Sequence, residues 1–283
     1  MRIAEEFQSL VSRVSRQFPI PPIKDIVMPP LPSNNVEEKA SNFGAVRLKG
    51  DHIGIVYLNL EKKVKHVLIE GDYSDYKGKK AEEVAQLFLS RDLEKKTIGL
   101  GAINAISNFV FNKVQYKFNY TTNSMGLLDL KTGDTVGMVG FFYPLIKRIE
   151  RMEIDVNLRI IEKKENLVQR NKNWVVSLDP SILEQCNKIL CTSTTVLNES
   201  IDKILDHTKK SEKMSVIGPT AGFLPDPLFS RNITVVGGSH VIKPKKFIEL
   251  LKQNQKWSDT AKKFCIQREN YKGVENLIDK LHQ

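Results

Sequence analysis

Apolar residues over the first eighteen positions, MRIAEEFQSLVSRVSRQF, recur at helical spacing. Phe7, Leu10, Val11 and Val14 share a face, and Glu5 and Glu6 stand near the start, which predicts an amphipathic helix over 1–18. The period then stops. FPIPPIKDIVMPPLPSNN carries six prolines, which fix φ and restrict the residues before them, and this predicts an extended connector along the surface. In NFGAVRLKGDHIGIVYLNL an alternation of two takes over, with Ala45, Arg47 and Lys49, then Ile53, Ile55 and Tyr57, and predicts a hairpin turning near Gly50-Asp51. Val84, Leu87 and Phe88 return to helical spacing, and a second helix is expected from about Ile98 to Asn112. Residues 1–120 therefore read as a small α+β unit.

After about Leu130 the rhythm becomes strand–helix alternation. Strands are predicted at Thr135–Gly140, Asp155–Ile161, Lys188–Thr192, Met214–Gly218 and Ile233–Val236. Helices are predicted at Phe142–Arg151, Pro180–Gln185, Asn198–Lys209, Pro244–Asn254 and Ser258–Phe264. Such alternation implies an α/β fold, a mostly parallel sheet covered on both faces in three layers. The expected division is an N-terminal α+β domain over 1–130 and an α/β/α domain over 131–283. Ligands of open parallel sheets bind beyond the carboxyl ends of the strands. That directs attention to the turns at Gly137–Tyr143, Glu162, Thr192–Asn198, Gly218–Asp226 and Gly237–His240.

Each turn has two readings. Gly140 allows a tight turn before a helix whose first N–H groups suit an anion, with Phe141, Phe142 and Tyr143 beside it. The same glycine would also serve close strand–helix packing. Glu162 lies 22 residues past Gly140 (162 minus 140), where dinucleotide folds place a ribose-binding acid, but it also begins the solvated run Glu-Lys-Lys-Glu. Thr192, Ser193, Thr194 and Thr195 offer four hydroxyls before Asn198, more than a helix cap needs. Gly218-Pro219-Thr220 and Gly237-Gly238-Ser239-His240 form two further turns, with His240 a candidate base or ligand, or a structural histidine.

Composition narrows the classes. The 283 residues are 41% hydrophobic and carry a net charge of +10. The lysines are spread along the chain among many acids, the pattern of a solvated surface, so no specific nucleic acid is expected as a partner. No apolar run approaches the roughly 18 residues of a membrane span, and the N-terminus lacks a signal-peptide core. A cytoplasmic protein is expected, with self-association left open. Three cysteines, at 186, 191 and 265, do not make a disulfide framework, and neither they nor the five histidines show metal-ligand spacing.

TVGMVGFFYPLI, CTSTTVLNESIDKIL and VIGPTAGFLPDPLFSRNITVVGGSHV together resemble the family known as "putative heavy-metal chelation" proteins, a domain of unknown function, and IGLGAINAISN resembles the end of its N-terminal companion. The resemblance spans residues 97 to 241. It implies a domain similar to the N-terminal domain of enolase packed on a Rossmann-like domain, with a site where they meet. It extends to Asn104, Gly140, Thr194, Asn198, Gly218, Pro219, Gly238 and Ser239, and implies a divalent heavy-metal ion or chelate as ligand. The chain departs from the family in reading Cys-Thr-Ser-Thr-Thr where a threonine-glycine start is expected, so Ser193 narrows any pocket there.

Two functions are expected from these readings. One is a small-ligand or metal-chelate binder with its site between the domains. The other is an enzyme using a nucleotide or S-adenosylmethionine-like cofactor. Asn104 lies among Gly99, Gly101, Ala102, Ile103, Ala105 and Ile106, where a polar amide needs a partner. It is expected to point into the cleft, towards the Gly140–Tyr143 and Thr192–Asn198 turns. A surface position or a structural bond to the neighbouring domain are the alternatives.

Overall fold

The structure is a computed structural model that describes residues 1–31, 42–120, 125, 127–170 and 174–279. Positions 32–35 of the proline-rich segment, and His282, lie outside the described residues.

The first helix, α1 (Ile3–Gln17), buries Phe7, Leu10, Val11 and Val14 as the spacing predicts. The proline-rich segment is more than a connector. Between its proline clusters Ile23–Val27 forms β1, which pairs antiparallel with β2 (Phe43–Leu48). Prolines confined to the flanks leave the N–H groups of Lys24–Val27 free for the ladder. β2 turns through Gly50 and Asp51, both at positive φ, into β3 (Ile53–Tyr57), the predicted hairpin. Helices α2 (Lys62–Glu70) and α3 (Ala81–Ala85) lead to the long α4 (Leu93–Lys113), capped by Asp92. α4 lies against β2 and β3. Its glycines make the approach close: a β carbon on Gly101 would fall 2.5 Å from Val46 and Val56 side-chain atoms. The face of Gly54 is as tight against the α4 backbone.

Among the described residues the second sheet has nine strands. Six run parallel: β5 (Thr135–Val139), β6 (Asn157–Ile161), β8 (Trp174–Ser177), β9 (Lys188–Thr192), β10 (Lys213–Ile217) and β11 (Val235–Val241). Their spatial order is β11-β10-β9-β5-β6-β8. Counted in chain order this is the 3-2-1-4-5-6 arrangement of doubly wound sheets, with its switch point between β5 and β9. Antiparallel strands close both sides: β7 (Gln169–Arg170) beside β8, and β12 (Ala261–Gln267) then β4 (Asn119–Tyr120) beside β11. The remaining helices are α5 (Tyr143–Glu150), α6 (Thr194–Leu197), α7 (Ile201–Asp206), α8 (Asp226–Phe229), α9 (Pro244–Lys252) and α10 (Val274–Asp279). No helix among the described residues is long and apolar enough to cross a membrane.

Three expectations are corrected. Ser258–Phe264 is not a helix: one 3-10 turn at Ser258–Thr260 gives way to β12. Lys262 and Lys263 are exposed, Phe264 and Ile266 join the core, and Cys265 faces Gly237 on the other side of the strand. Gly237–His240 is not a turn after a strand ending at Val236, because β11 runs on to Val241. Gly238 allows that strand to pass close to the Ala221 carbonyl, which a β carbon would approach to 2.3 Å. The helix expected over Asn198–Lys209 is split, with α6 before Asn198, α7 after it, and Glu199 at positive φ between them. The 3-10 form of Pro180–Gln185 is a smaller difference.

One hydrophobic core joins the two sheets. Phe7 packs edge-on against Phe223, and α4 and α1 share it with β9, β10 and α8. α9 sends Phe247, Ile248 and Leu251 back onto Val27, Ala45, Ile53 and Ile55 of the first sheet. This packing carries the carboxyl ends of the parallel strands up against α4.

Candidate functional site

The turn after β5 is already engaged. Gly140 sits at φ 99°, and the Phe141 N–H donates to Glu162 Oε2 at 3.1 Å. The other carboxylate oxygen accepts from the Lys163 and Lys164 N–H groups at 2.7 and 3.4 Å. In the first turn of α5 the Leu145 and Ile146 N–H groups return to the Phe142 carbonyl, and Pro144 has none to give. The expected anion-friendly turn thus has a carboxylate of its own, which repels phosphate. The aromatic wall divides: Phe141 stacks on Tyr143 at 6.3 Å and meets Trp174 edge-on, and Tyr143 is exposed, while Phe142 turns the other way.

The hydroxyls at the switch point bond one another and the neighbouring backbone. Thr192 Oγ1 donates to Thr194 Oγ1 and accepts the Thr194 N–H, and Thr195 Oγ1 donates to the Thr192 carbonyl. Asn198 Oδ1 accepts from the N–H and hydroxyl of Ser200. Buried Ser193 shares a 2.9 Å hydrogen bond with Thr220, and a β carbon on Gly218 would lie 2.2 Å from Ser193 Oγ. The sequence expectation that Ser193 narrows this pocket is visible as contact.

Open space lies further along the sheet. A chamber of about 310 Å³ is bounded by Phe142, Pro144 and Leu145 beside α5, by Ile217, Gly218 and Pro219 at the end of β10, and by Gly237, Gly238 and Ser239 on β11. Lys263, Phe264 and Cys265 of β12 complete it. Gly237 keeps it open, since a β carbon there would press on Cys265 Sγ and Ile217 at 3.2 Å. Of the expected site residues the structure brings Gly218, Pro219, Gly238 and Ser239 together here. It places Glu162, Thr192, Thr194 and Asn198 in their own turns. Sequence reading missed the β12 residues because Lys263 and Phe264 were assigned to a helix and Cys265 to no element; Phe-Cys-Ile-Gln at a strand's spacing was the available signal.

Pro219, Ser239 and Phe264 also line a second cavity of about 10 Å³, room for one water-sized group, which Asn104, Asn108, Gly222 and His240 share. Asn104 is 1% exposed. Its amide donates to the Ile55 carbonyl at 2.9 Å and the Thr220 carbonyl at 3.0 Å, and its Oδ1 is buried with no partner. It faces the other half of the chain, but at the turn after β10 rather than the Gly140 and Thr192 turns. The Tyr120 hydroxyl lies 2.8 Å from His240 Nδ1. Burial pushes the His240 pKa down and the Tyr120 pKa up, so both groups are held neutral and share one hydrogen bond.

These residues do not fit a heavy-metal ion held by side chains of this chain alone. Among the described residues no three His, Cys, Asp or Glu side chains gather as a ligand set. Burial pushes the thiols up, Cys186 and Cys265 to about 11 and Cys191 to about 12, away from the thiolate a metal requires.

With this geometry the chain can be set beside known proteins. A solved protein of unknown function from the DUF364 family of Desulfitobacterium hafniense superposes with a TM-score of 0.67 at 16% identity, covering 93% of this chain and 98% of the other. One from Pyrococcus horikoshii, of the same family, gives 0.65 at 15% identity, covering 94% and 99%. An uncharacterized protein of Methanocaldococcus jannaschii is 25% identical over 200 residues, 68% of this chain and 73% of the relative. Two family profiles match, at residues 40–107 and 123–269, and both carry the description "Putative heavy-metal chelation". Since the second match alone covers more than half of the 283 residues, the chain belongs to the DUF364 family, described as "Putative heavy-metal chelation".

Proposed function

We propose that the chamber over β10, β11 and β12 binds a compact, largely apolar organic molecule, and that a heavy metal reaches it as a chelate whose donors belong to that molecule. One observation carries this reading. The chamber has the size of a small-ligand site, and its walls are mostly aliphatic, aromatic and glycine surfaces, with Lys263, Ser239 and Cys265 as the polar side chains and no carboxylate. The chamber is lined by residues of the unit 131–283, and α4 of the unit 1–130 lines the smaller cavity beside it through Asn104 and Asn108. The strand order supports a Rossmann-like description of the larger unit, and the antiparallel β1-β2-β3 sheet backed by α4 supports likeness to the enolase N-terminal domain.

Thermal shift tests the proposal, because a ligand selective for the native state raises the melting temperature. Zinc or cadmium chloride alone is expected to leave it unchanged. 8-Hydroxyquinoline, a flat chelator of suitable size, is expected to raise it with or without zinc. A rise with the metals alone and none with the chelator would overturn the reading.

A second reading keeps a nucleotide or S-adenosylmethionine-like cofactor. The strand order and the position of Glu162 at the end of β6 favour it. The hydroxyls already bonded to one another at the switch point and the carboxylate already bonded to the Phe141 N–H weigh against a pyrophosphate there. Adenosine in the same thermal panel tests this reading.

A further inference from the structure

Asn104 presents a hydrogen-bond acceptor that the protein itself leaves unused. Both neighbours of its Nδ2 are carbonyl oxygens, Ile55 at 2.9 Å and Thr220 at 3.0 Å. The amide can therefore sit in one orientation only, with NH₂ on the carbonyls and Oδ1 on the opposite side. Oδ1 is buried there without a partner, in a residue 1% exposed. A buried unpaired acceptor is costly and uncommon, and each asks for a cause.

The space in front of it is also built. Residue 222 is glycine, and a β carbon there would lie 3.9 Å from Asn104 Oδ1 and no closer than 3.8 Å to any atom. An alanine would fit without collision, so crowding does not demand the glycine. What the glycine leaves is the cavity of about 10 Å³, which Asn104 and Gly222 both line. Pro219, Ser239 and Phe264 line both this cavity and the larger chamber, so the two spaces adjoin.

We propose that this recess is the polar end of the chamber's ligand site, and that Asn104 Oδ1 accepts a hydrogen bond from one uncharged N–H or O–H group of the ligand. The inference rests on the chamber being a ligand site. The recess admits one water-sized group, which excludes a carboxylate or phosphate. No acidic side chain lines it, so nothing there would balance an ammonium. A hydroxyl, an amide N–H or a ring N–H meets both conditions. Asn104 is then a specificity residue: it distinguishes a molecule carrying a donor from an otherwise equal one lacking it, as buried acceptors do.

Matched probes test this directly: indole against 1-methylindole, and phenol against anisole, titrated by calorimetry into the full chain. The wild-type protein is expected to prefer the donor-bearing member of a pair by about tenfold, the scale of one buried hydrogen bond. Gly222→Ala fills the recess while keeping both Asn104 amide bonds, and its melting temperature checks that it folds. It is expected to bind the donor-bearing probe no better than its methylated partner. Equal affinity within both pairs in the wild type would overturn the inference and leave the chamber reading standing, with the recess holding a structural water only. A preference that survives Gly222→Ala would place the donor elsewhere and overturn it as well. Binding of none of the four probes, nor of 8-hydroxyquinoline, would defeat the chamber reading and the inference with it.

Discussion

Asn104 and Thr220 are joined across the two halves of the chain by a 3.0 Å hydrogen bond from the asparagine amide to the threonine carbonyl. Thr220 in turn bonds Ser193, so α4, the turn after β10 and the turn after β9 form a polar line across the interface, beside the Leu224 N–H bond to Ser107 Oγ. Breaking its first link strands two buried carbonyls. Asn104→Ala is expected to lower stability by about 2–6 kcal/mol, at roughly 1–3 kcal/mol for each of the two unpaired acceptors. Asn104→Asp is expected to cost more, because it sets a carboxylate oxygen against both carbonyls. Urea unfolding measures both. A loss below about 0.5 kcal/mol for Asn104→Ala, the range of an ordinary surface change, would show that the interface does not depend on this residue.

Gly218 and Ser193 are predicted to be coupled. Gly218 has φ 152°, and a β carbon there would overlap Ser193 Oγ. Gly218→Ala is expected to destabilise by about 2 kcal/mol, within the range for overpacked sites. In a Ser193→Gly background part of that cost should disappear, giving a coupling of roughly 1 kcal/mol in a double-mutant cycle. Strictly additive losses would mean that backbone strain alone, not the serine, accounts for Gly218.

Acid stability has a defined contributor at the opposite, amino end of the parallel strands, just before β5. Burial alone would raise the Asp134 pKa. The hydrogen bonds from Lys188, Asn187 and the Lys131 N–H outweigh it, so the folded-state value lies below the usual one. A depressed carboxylate stabilises fully above its unfolded pKa, about 4, and that contribution is lost as pH falls through the folded value. Urea midpoints should therefore fall below about pH 4, and Asp134→Asn should be less stable at neutral pH with a shallower acid decline. An identical acid slope in the variant would contradict this.

The cysteines are expected to be poor nucleophiles and poor metal ligands. With Cys265 and Cys186 pushed to about 11, their thiolate fraction at neutral pH falls roughly a hundredfold below that of a free thiol. Iodoacetamide should label them slowly in the native protein and at the ordinary rate in urea. Stoichiometric cadmium should not change the native rate. Protection by cadmium would reveal a thiolate metal site and contradict the donor-set argument.

The sequence announces this fold unevenly, for physical reasons. Lys188–Thr192 and Thr135–Val139 are legible to within a residue because central parallel strands are continuous apolar runs. The Gly50-Asp51 turn is legible because both residues accept positive φ. β12 is not, because its outward lysines imitate a helix face and only pairing with β11 reveals it. Gly237-Gly238 resembles a turn, while its glycines serve close approach inside a strand. The candidate site inherits that uncertainty. Gly218, Pro219, Gly238 and Ser239 stand out in sequence, whereas Phe264 and Cys265 reach the chamber only through tertiary pairing. Glu162 and the Thr192–Asn198 hydroxyls look like ligand groups because their partners are backbone amides and neighbouring hydroxyls.

The central claim is that the ligand site lies over β10, β11 and β12 and not at the switch point between β5 and β9. Amide-resolved NMR during a titration with 8-hydroxyquinoline measures this most directly. The account predicts the largest shifts at Gly218, Gly237, Ser239 and Cys265, with Gly140, Lys163 and Thr194 little changed. Shifts centred on Gly140, Lys163 and Thr194, with β11 and β12 unmoved, would contradict it.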